Sequence, residues 1–185
     1  MTAKVESIVC KFVGDFEVAD NIRRNGDALC KLSATNDNRV FSKLIVIQAG
    51  SIVEAALGQI IYRAQNYNRE GVPNISEEDR IAIAATTVEK FNNIIQTMKK
   101  YNILDGLGEG IYDELHKLRK YRNKVHIQDD VDIQGVSRNE WTAFSDDVVT
   151  WSLGLCLKVL NHLNEKYVRP AHLDQYARTV SIPTS

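Results

Sequence analysis

Residues 111–127 read IYDELHKLRKYRNKVHI, and this stretch indicates both the fold class and the candidate functional residues. It has no Gly or Pro and is rich in Leu, Lys, Arg and Glu, so we predict a helix. Apolar residues recur along it at steps of four and three, which is the spacing of one buried helical face. Arg122 completes this seam, and its guanidinium stays charged at ordinary pH, so it needs a partner or a water-lined cleft. The apolar members of the seam are Ile111, Leu115, Leu118 and Val125.

Two further side chains share the face of Arg122. Arg119 lies three residues before Arg122 and His126 lies four residues after it, so all three project from neighbouring parts of one helical face. Two guanidiniums and an imidazole at the inward edge of a helix are suited to handling a phosphate group. A surface helix with a solvated basic face is the alternative interpretation of the same residues.

The whole chain has 185 residues and a net charge of −1. A chain of this length is expected to fold as one domain with a sizeable core. The net charge excludes a globally basic protein that binds nucleic acid over its whole surface, so any contact with phosphate has to come from a local patch. Lys117, Lys120 and Lys124 supply such a patch beside the two arginines.

Cysteine usage and hydropathy predict a cytoplasmic protein without a membrane contact. The three cysteines are far apart and have no Cys-x-x-Cys spacing, which favours a reducing compartment. The most apolar run, residues 44–62, contains Gln48, Glu54 and Gln59, which indicates a buried helix and not a membrane span. No pair of histidines has the spacing of a metal site and there is no Gly-rich phosphate loop, so we predict no metal and no cofactor.

Apolar periodicity extends over most of the chain and predicts an all-α fold. The fold class expected is an antiparallel bundle of four to five long helices. Residues 1–14 fit either a helix or a short strand, and capping boxes are predicted at Ser76 and Ser137. Besides 111–127, the predicted helices cover residues 15–33, 39–66, 77–101 and 137–167.

The domain is predicted to span residues 1–168, followed by a C-terminal tail of little pattern over residues 169–185. Trp141 and Trp151 fall on the apolar stripe of the last predicted helix, so both are assigned to the core. Glu54 sits alone among small residues of the second predicted helix. A buried carboxylate is costly unless it is paired, and either arginine of the 111–127 stretch is a candidate partner, while exposure of Glu54 to solvent is the alternative.

Residues 119–126, RKYRNKVH, resemble the signature of the HEPN superfamily of helical-bundle domains, many of which are metal-independent ribonucleases. The signature is an Arg, usually followed by a polar residue such as Asn, with a His after four to six intervening residues. Arg122 and Asn123 match the dipeptide, but only three residues separate Arg122 from His126. Arg119 has six intervening residues, but Lys120 follows it. We assign the active-site arginine to Arg122 first and to Arg119 second. The resemblance covers about residues 39–167, including the helix around Glu54.

The resemblance implies an endoribonuclease that cleaves RNA by attack of its own 2′-hydroxyl. His126 would transfer protons, Arg122 and Arg119 would bind the phosphate oxygens, and Asn123 would orient the phosphate or the imidazole. His116, ten residues before His126, lines the same cleft or lies on the surface.

The resemblance also implies a homodimer whose two sites meet in one cleft. It suggests a toxin or a phage-defence effector that an antitoxin or another regulatory protein holds in check. The alternative is a non-catalytic HEPN-like domain that binds RNA, a nucleotide or a partner protein, in which Arg122 only neutralises Glu54. A purely structural bundle is the third interpretation.

Overall fold

The computed structural model describes residues 4–67, 69–125 and 133–184. The described part is mostly helical, as predicted, and it carries one small antiparallel sheet that the predicted all-α class did not include. Its elements are β1 (Lys4–Cys10), α1 (Phe16–Ala34), α2 (Ser42–Asn66), α3 (Glu77–Ala84), α4 (Phe91–Lys100), α5 (Ile111–Asn123), α6 (Glu140–Ala143), α7 (Asp146–Lys166) and β2 (Arg178–Thr184), with short 3₁₀ turns at Asp37–Arg39, Asp105–Leu107 and Ala171–Tyr176.

Helix α2 is central and packs against α1, α5 and α7. A Cβ atom at Gly50 would lie 3.0 Å from the Cβ atom of Arg122, so glycine at this position lets α5 approach closely. Within the described residues, α2 is the one helix long and apolar enough to cross a membrane, but 61% of its most apolar window is buried inside the protein. Such burial is what the core helix of a soluble protein shows. Helices α1 and α2 confirm the helices predicted over residues 15–33 and 39–66.

The single helix predicted over residues 77–101 is wrong, because the chain breaks between α3 and α4. After α3 the hydroxyl of Thr86 donates to the carbonyl of Ile83 at 2.9 Å. The side chain of Gln65 on α2 donates to the carbonyls of both residues, at 3.3 and 3.2 Å. These side-chain bonds compete with a continuous helical ladder, and the β-branched residues 86–88 lower helix propensity at the same place.

The helix predicted over residues 137–167 is also interrupted. Ser145 caps the first turn of α7 with its side chain, so the chain starts a new helix there and does not continue α6. Trp141, on α6, therefore leaves the buried stripe of α7. Its side chain is 58% exposed, and its assignment to the core is wrong. Trp151, on α7, is partly buried and packs against the core.

The two ends of the described chain pair as strands. Strands β1 and β2 run antiparallel, with Lys4 opposite Thr184 and Cys10 opposite Arg178. The N-terminal segment is thus a strand, one of the two possibilities that its sequence allowed. The C-terminal segment, predicted to have little pattern, supplies the partner strand. A Cβ atom at Gly26 of α1 would lie 2.8 Å from the carbonyl oxygen of Ser181, so this sheet rests closely on α1.

Helix α5 confirms only the first part of the predicted 111–127 helix, because it ends at Asn123. Val125 lies beyond the helix and is 48% exposed, so the predicted seam does not extend to it. Residues 126–132, which include His126, lie outside the described residues. The other apolar residues of the predicted seam are fully buried in α5, namely Ile111, Leu115 and Leu118.

Two buried arginines and one partly buried glutamate lie together where the end of α2 meets the segments that precede α1 and follow α7. We call Arg63, Glu70 and Arg169 the buried arginine cluster. Atom Oε1 of Glu70 is 2.8 Å from Nε of Arg169 and 3.6 Å from Nε of Arg63. Arg63 also donates to the carbonyls of Phe12, at 3.1 Å, and Tyr167. Burial lowers the pKa of Arg63 to about 10, so its guanidinium is still charged at neutral pH.

Candidate functional site

Arg122 lies between α2 and α5, with its aliphatic stem against Gly50 and its guanidinium against Glu54. Nη2 of Arg122 is 2.5 Å from Oε2 of Glu54, and Nη1 donates to the side-chain oxygen of Asn123 at 3.2 Å. The structure thus pairs Glu54 with Arg122, one of the arrangements that the sequence allowed. The side chains of Glu54 and Arg122 are 17% and 36% exposed, so the pair lies at the edge of the contact between α2 and α5 and not in the core.

The carboxylate of Glu54 is held from two directions. Burial raises the pKa of Glu54 above its ordinary value, while the charge of Arg122 and the backbone N–H of Phe91, at the start of α4, act in the opposite direction. The ion pair fixes the position of the guanidinium. Within the described residues, Arg122 uses two of its five N–H donors, which leaves the others available to an oxygen of a ligand.

Replacing Glu54 with glutamine is expected to change how stability depends on pH. The folded state raises the pKa of Glu54 above the ordinary value of 4.5, so it binds this proton more tightly than the unfolded state does. The stability that this group contributes is therefore complete at low pH and is lost as the pH rises through the folded-state pKa. In urea denaturation from about pH 4 to about pH 8, the free energy of unfolding of the wild type should fall relative to that of E54Q as the pH increases.

Glu89→Gln is the matched control, because Glu54 and Glu89 line one groove between α2 and the start of α4, and the side chain of Glu89 is exposed. Like the wild type, E89Q should lose stability relative to E54Q as the pH increases. A wild-type protein that gains stability over E54Q with rising pH would contradict the raised pKa.

His116, Arg119 and Arg122 follow one another along α5 at steps of three, so they form a slanted row on its surface. Nε2 of His116 is 3.1 Å from the side-chain amide nitrogen of Gln96 on α4, so the amide donates and the ring nitrogen accepts. Burial lowers the pKa of His116, and the charges of Arg119 and Lys120 lower it further. This histidine is therefore neutral at neutral pH.

Arg119 occupies the middle of this row and is half-buried. Its Nε atom is buried and has no hydrogen-bond partner in the part of the chain that the structure describes. A buried donor without an acceptor is unfavourable. The guanidinium of Arg119 is thus not committed to a carboxylate among the described residues, which suits it to bind an anion beside Arg122.

The three lysines predicted to contact RNA occupy different environments. Lys117 is exposed, with Nζ 4.5 Å from the centre of the Trp151 ring, and Lys120 is half-buried. Lys124 is only 6% exposed, and its ammonium donates to the carbonyl of Ser137 at 3.3 Å. Lys117 and Lys120 therefore remain candidates for contacts with a phosphate backbone, whereas the ammonium of Lys124 is engaged with Ser137, shortly before α6.

Comparisons with protein-family models, with curated proteins and with solved structures find no match to this chain. The candidate site therefore rests on the geometry of its own residues. Within residues 4–67, 69–125 and 133–184, no group of three His, Cys, Asp or Glu side chains converges to hold a metal ion.

Sequence reasoning missed two groups that shape this site. The side chain of Gln96 contacts His116, and the backbone N–H of Phe91 lies close enough to Glu54 to lower its pKa. This interaction depends on the break between α3 and α4, because the backbone N–H groups in the first turn of a helix have no partners within that helix. We find no sequence signal that would have indicated either contact, because both join residues that lie far apart in the chain.

Proposed function

We propose that this protein is a HEPN-type, metal-independent endoribonuclease. The observation that supports the proposal most is the guanidinium of Arg122, which Glu54 fixes at the edge of the contact between α2 and α5 while three of its five N–H donors have no partner among the described residues. Its sequence context, with Asn123 next and His126 four positions on, resembles the superfamily signature. The mostly helical fold around α2 agrees with a HEPN-like bundle of four to five long helices. The position of His126 in the site is part of the proposal.

RNA brings its own nucleophile to such a site. His126 takes the proton of the 2′-hydroxyl, the bond from O2′ to phosphorus forms, and the bond from phosphorus to O5′ breaks. A second acid protonates the leaving 5′-oxygen, which gives a 2′,3′-cyclic phosphate and a 5′-hydroxyl. Acid–base help of this kind contributes about 10²–10⁴-fold to a rate. Arg122 and Arg119 bind the phosphate oxygens and stabilise the charge that develops on them.

A homodimer supplies the second acid. Two copies of the site in one cleft provide a base from one His126 and an acid from the other, together with four guanidiniums. An isologous dimer is also the commonest oligomer of soluble proteins. Lys117 and Lys120 contact the RNA backbone in this arrangement, and Asn123 orients Arg122. The resemblance adds a cytoplasmic toxin or phage-defence role under the control of an antitoxin or regulatory protein.

Incubation of the purified protein with single-stranded RNA in EDTA tests the proposal. We expect fragments that end in a cyclic phosphate, because neither the 2′-hydroxyl nor His126 needs a metal ion. His126→Ala should abolish the cleavage. His172→Ala is the matched control and should cleave at the wild-type rate, since His172 is an exposed histidine in a 3₁₀ turn near the C-terminus.

Cleavage that persists unchanged in His126→Ala would reveal a contaminating nuclease and remove the assignment of His126. A wild-type protein that cleaves no RNA, alone or after removal of a bound partner, would contradict the proposal that it is an endoribonuclease.

A non-catalytic HEPN-like domain that binds RNA, a nucleotide or a partner protein is the second candidate. The ion pair of Arg122 with Glu54 favours it, because the guanidinium already has an internal partner whose carboxylate is partly buried. Binding of RNA without cleavage, at an affinity that Arg122→Ala reduces, would support this candidate over the enzyme.

A further inference from the structure

Trp141, on α6, is a large aromatic residue whose side chain is 58% exposed. Asn139 fixes its backbone, because the side-chain oxygen of Asn139 accepts the N–H of Trp141 at 2.9 Å and so begins α6. A single exposed apolar residue needs no explanation in itself. The surroundings of Trp141 do need an explanation, because the side chain of Arg39 lies against its ring.

The guanidinium of Arg39 lies over the indole of Trp141, with 4.6 Å between its central carbon and the ring centre. The same guanidinium donates to the carbonyls of Trp141, at 2.6 Å, and Phe144, at 2.9 Å, and its Nε is 3.5 Å from Asp146. The backbone of Arg39 has a φ of 62°, in the left-handed region that non-glycine residues avoid. Two hydrogen bonds and one ion pair thus hold the guanidinium against the ring in a backbone conformation that is otherwise unfavourable.

A cleft of about 160 Å³ opens beside this pair, between the start of α2 and α6. It is too small for a ligand of drug size, for which pockets of roughly 300–1,000 Å³ are usual, and it suits one planar ring system. Lys43 pairs with Glu140 at its rim, so neither charge is left to repel a ligand. The cleft is lined by Arg39, Val40, Ser42, Lys43, Trp141 and Phe144, among others.

This cleft adjoins the candidate site on α5. Lys124 donates to the carbonyl of Ser137, and the rings of Tyr121 and Phe144 are 5.7 Å apart, so the segment that carries α6 packs on the last turn of α5. Along α2, Ser42 lines the cleft and Gly50 contacts Arg122. Gly50 lies eight positions after Ser42 on the helix, which is a rise of about 12 Å. A strand of a few nucleotides spans that distance.

We propose that Trp141 and Arg39 form a stacking platform for one unpaired base of the RNA whose phosphate lies at Arg122. Aromatic rings stack every base, and a cation on the ring adds to the attraction. Bases inside a duplex are stacked on one another and cannot reach such a platform, so the ligand is single-stranded RNA. This inference rests on the proposed function only in taking RNA as the ligand, not in requiring cleavage.

The test measures binding of a 2′-O-methyl single-stranded oligonucleotide, which lacks the nucleophile and is therefore not cleaved. Trp141→Ala is expected to weaken this binding by about 5- to 100-fold, the usual loss for one stacked base. Trp141→Tyr should retain most of the affinity, and binding of a duplex of the same sequence should not change between the wild type and Trp141→Ala. Tyr176→Ala is the control for an aromatic residue elsewhere, since Tyr176 is 42% exposed.

A second measurement detects the contact directly. In a Trp151→Phe background, Trp141 is the single tryptophan, and its fluorescence should be quenched when the oligonucleotide binds. Circular dichroism of each variant checks that the fold is retained.

Equal affinity of Trp141→Ala and the wild type for the single strand would overturn the platform, and so would a wild type that binds no RNA at all. Dissociation of an oligomer by Trp141→Ala, with RNA binding unchanged, would instead assign this surface to a protein contact and overturn the proposal. Binding that depends on Trp141 in a protein that cleaves nothing would keep the platform and reject the enzyme. Cleavage of RNA that does not depend on Trp141 would support the enzyme and reject the platform.

Discussion

Replacing Arg122 with alanine is expected to lower the single-turnover rate of RNA cleavage by about 10²–10³-fold, the usual effect of removing one donor that stabilises transition-state charge. Glu54 holds this guanidinium in place, so little reorganisation is needed when a phosphate arrives. The same change should cost no more than about 1 kcal/mol of stability, because the side chain of Arg122 is 36% exposed and the ion pair is partly solvated. Rates with saturating RNA and urea denaturation measure the two effects.

Two variants separate catalysis by Arg122 from a role in neutralising Glu54. Arg122→Lys keeps the charge but loses the planar fork of donors, so it should recover only part of the rate. The double change Arg122→Ala with Glu54→Gln removes both partners of the ion pair. If Arg122 acts only on Glu54, the double variant should regain activity. If Arg122 acts on the phosphate, it should stay as slow as Arg122→Ala.

Mixing inactive Arg122→Ala and His126→Ala subunits tests the composite dimer site. A mixture that differs in activity from both parents supports a cleft shared by two subunits. A wild type that is fully active as a monomer would reject the shared cleft, and the second acid would then have to come from the same chain.

Glu70→Gln is expected to give the largest loss of stability, about 3–5 kcal/mol, because removing one member of a buried ion pair leaves uncompensated charge. Arg63 and Arg169 both approach the same oxygen of Glu70, and both guanidiniums are nearly inaccessible to solvent. Glutamine keeps the size of the side chain and removes only its charge. A domain is usually stable by about 5–15 kcal/mol, so the change should be obvious as a lower midpoint in guanidinium chloride.

Glu165→Gln is the control, since Glu165 is an exposed acid on α7. It should change the free energy of unfolding by less than about 0.5 kcal/mol. Arg169→Met and Glu70→Gln together should cost less than the sum of the two single changes, because the double variant leaves only one guanidinium without a carboxylate. A Glu70→Gln protein as stable as the Glu165→Gln protein would show that the backbone carbonyls around the cluster suffice to hold both arginines.

The long helices and the key position on α5 were predictable from local pattern alone. Apolar spacing found α1 and α2 and the buried residues of α5, because a helix buries one face at a fixed period. It also showed that a charged residue occupies the seam at position 122, and it gave Glu54 as a candidate partner. Pairing of Glu54 with an arginine of α5 was thus one of two possibilities that the sequence allowed, the other being exposure to solvent, and the sequence did not decide between Arg119 and Arg122.

Local pattern failed where side chains from elsewhere in the chain intervene. The helix predicted over residues 77–101 breaks because Gln65 of another helix binds the carbonyls at its middle. The C-terminal segment showed little pattern because strand β2 is stabilised by pairing with β1, which lies near the opposite end of the chain. The sequence placed Lys124 in a basic patch, but in the fold its ammonium donates to the carbonyl of Ser137.

The sequence by itself determined the mostly helical character of the protein, the central place of α2 and the basic character of α5, because these follow from composition and period within one segment. Only the tertiary structure decided that Glu54 takes Arg122, that Glu70 serves two buried guanidiniums, and that Trp141 faces solvent under Arg39. Each of these depends on which groups meet across long separations in the chain. Contacts of that kind are set by how helices pack, and not by the residues next to them in sequence.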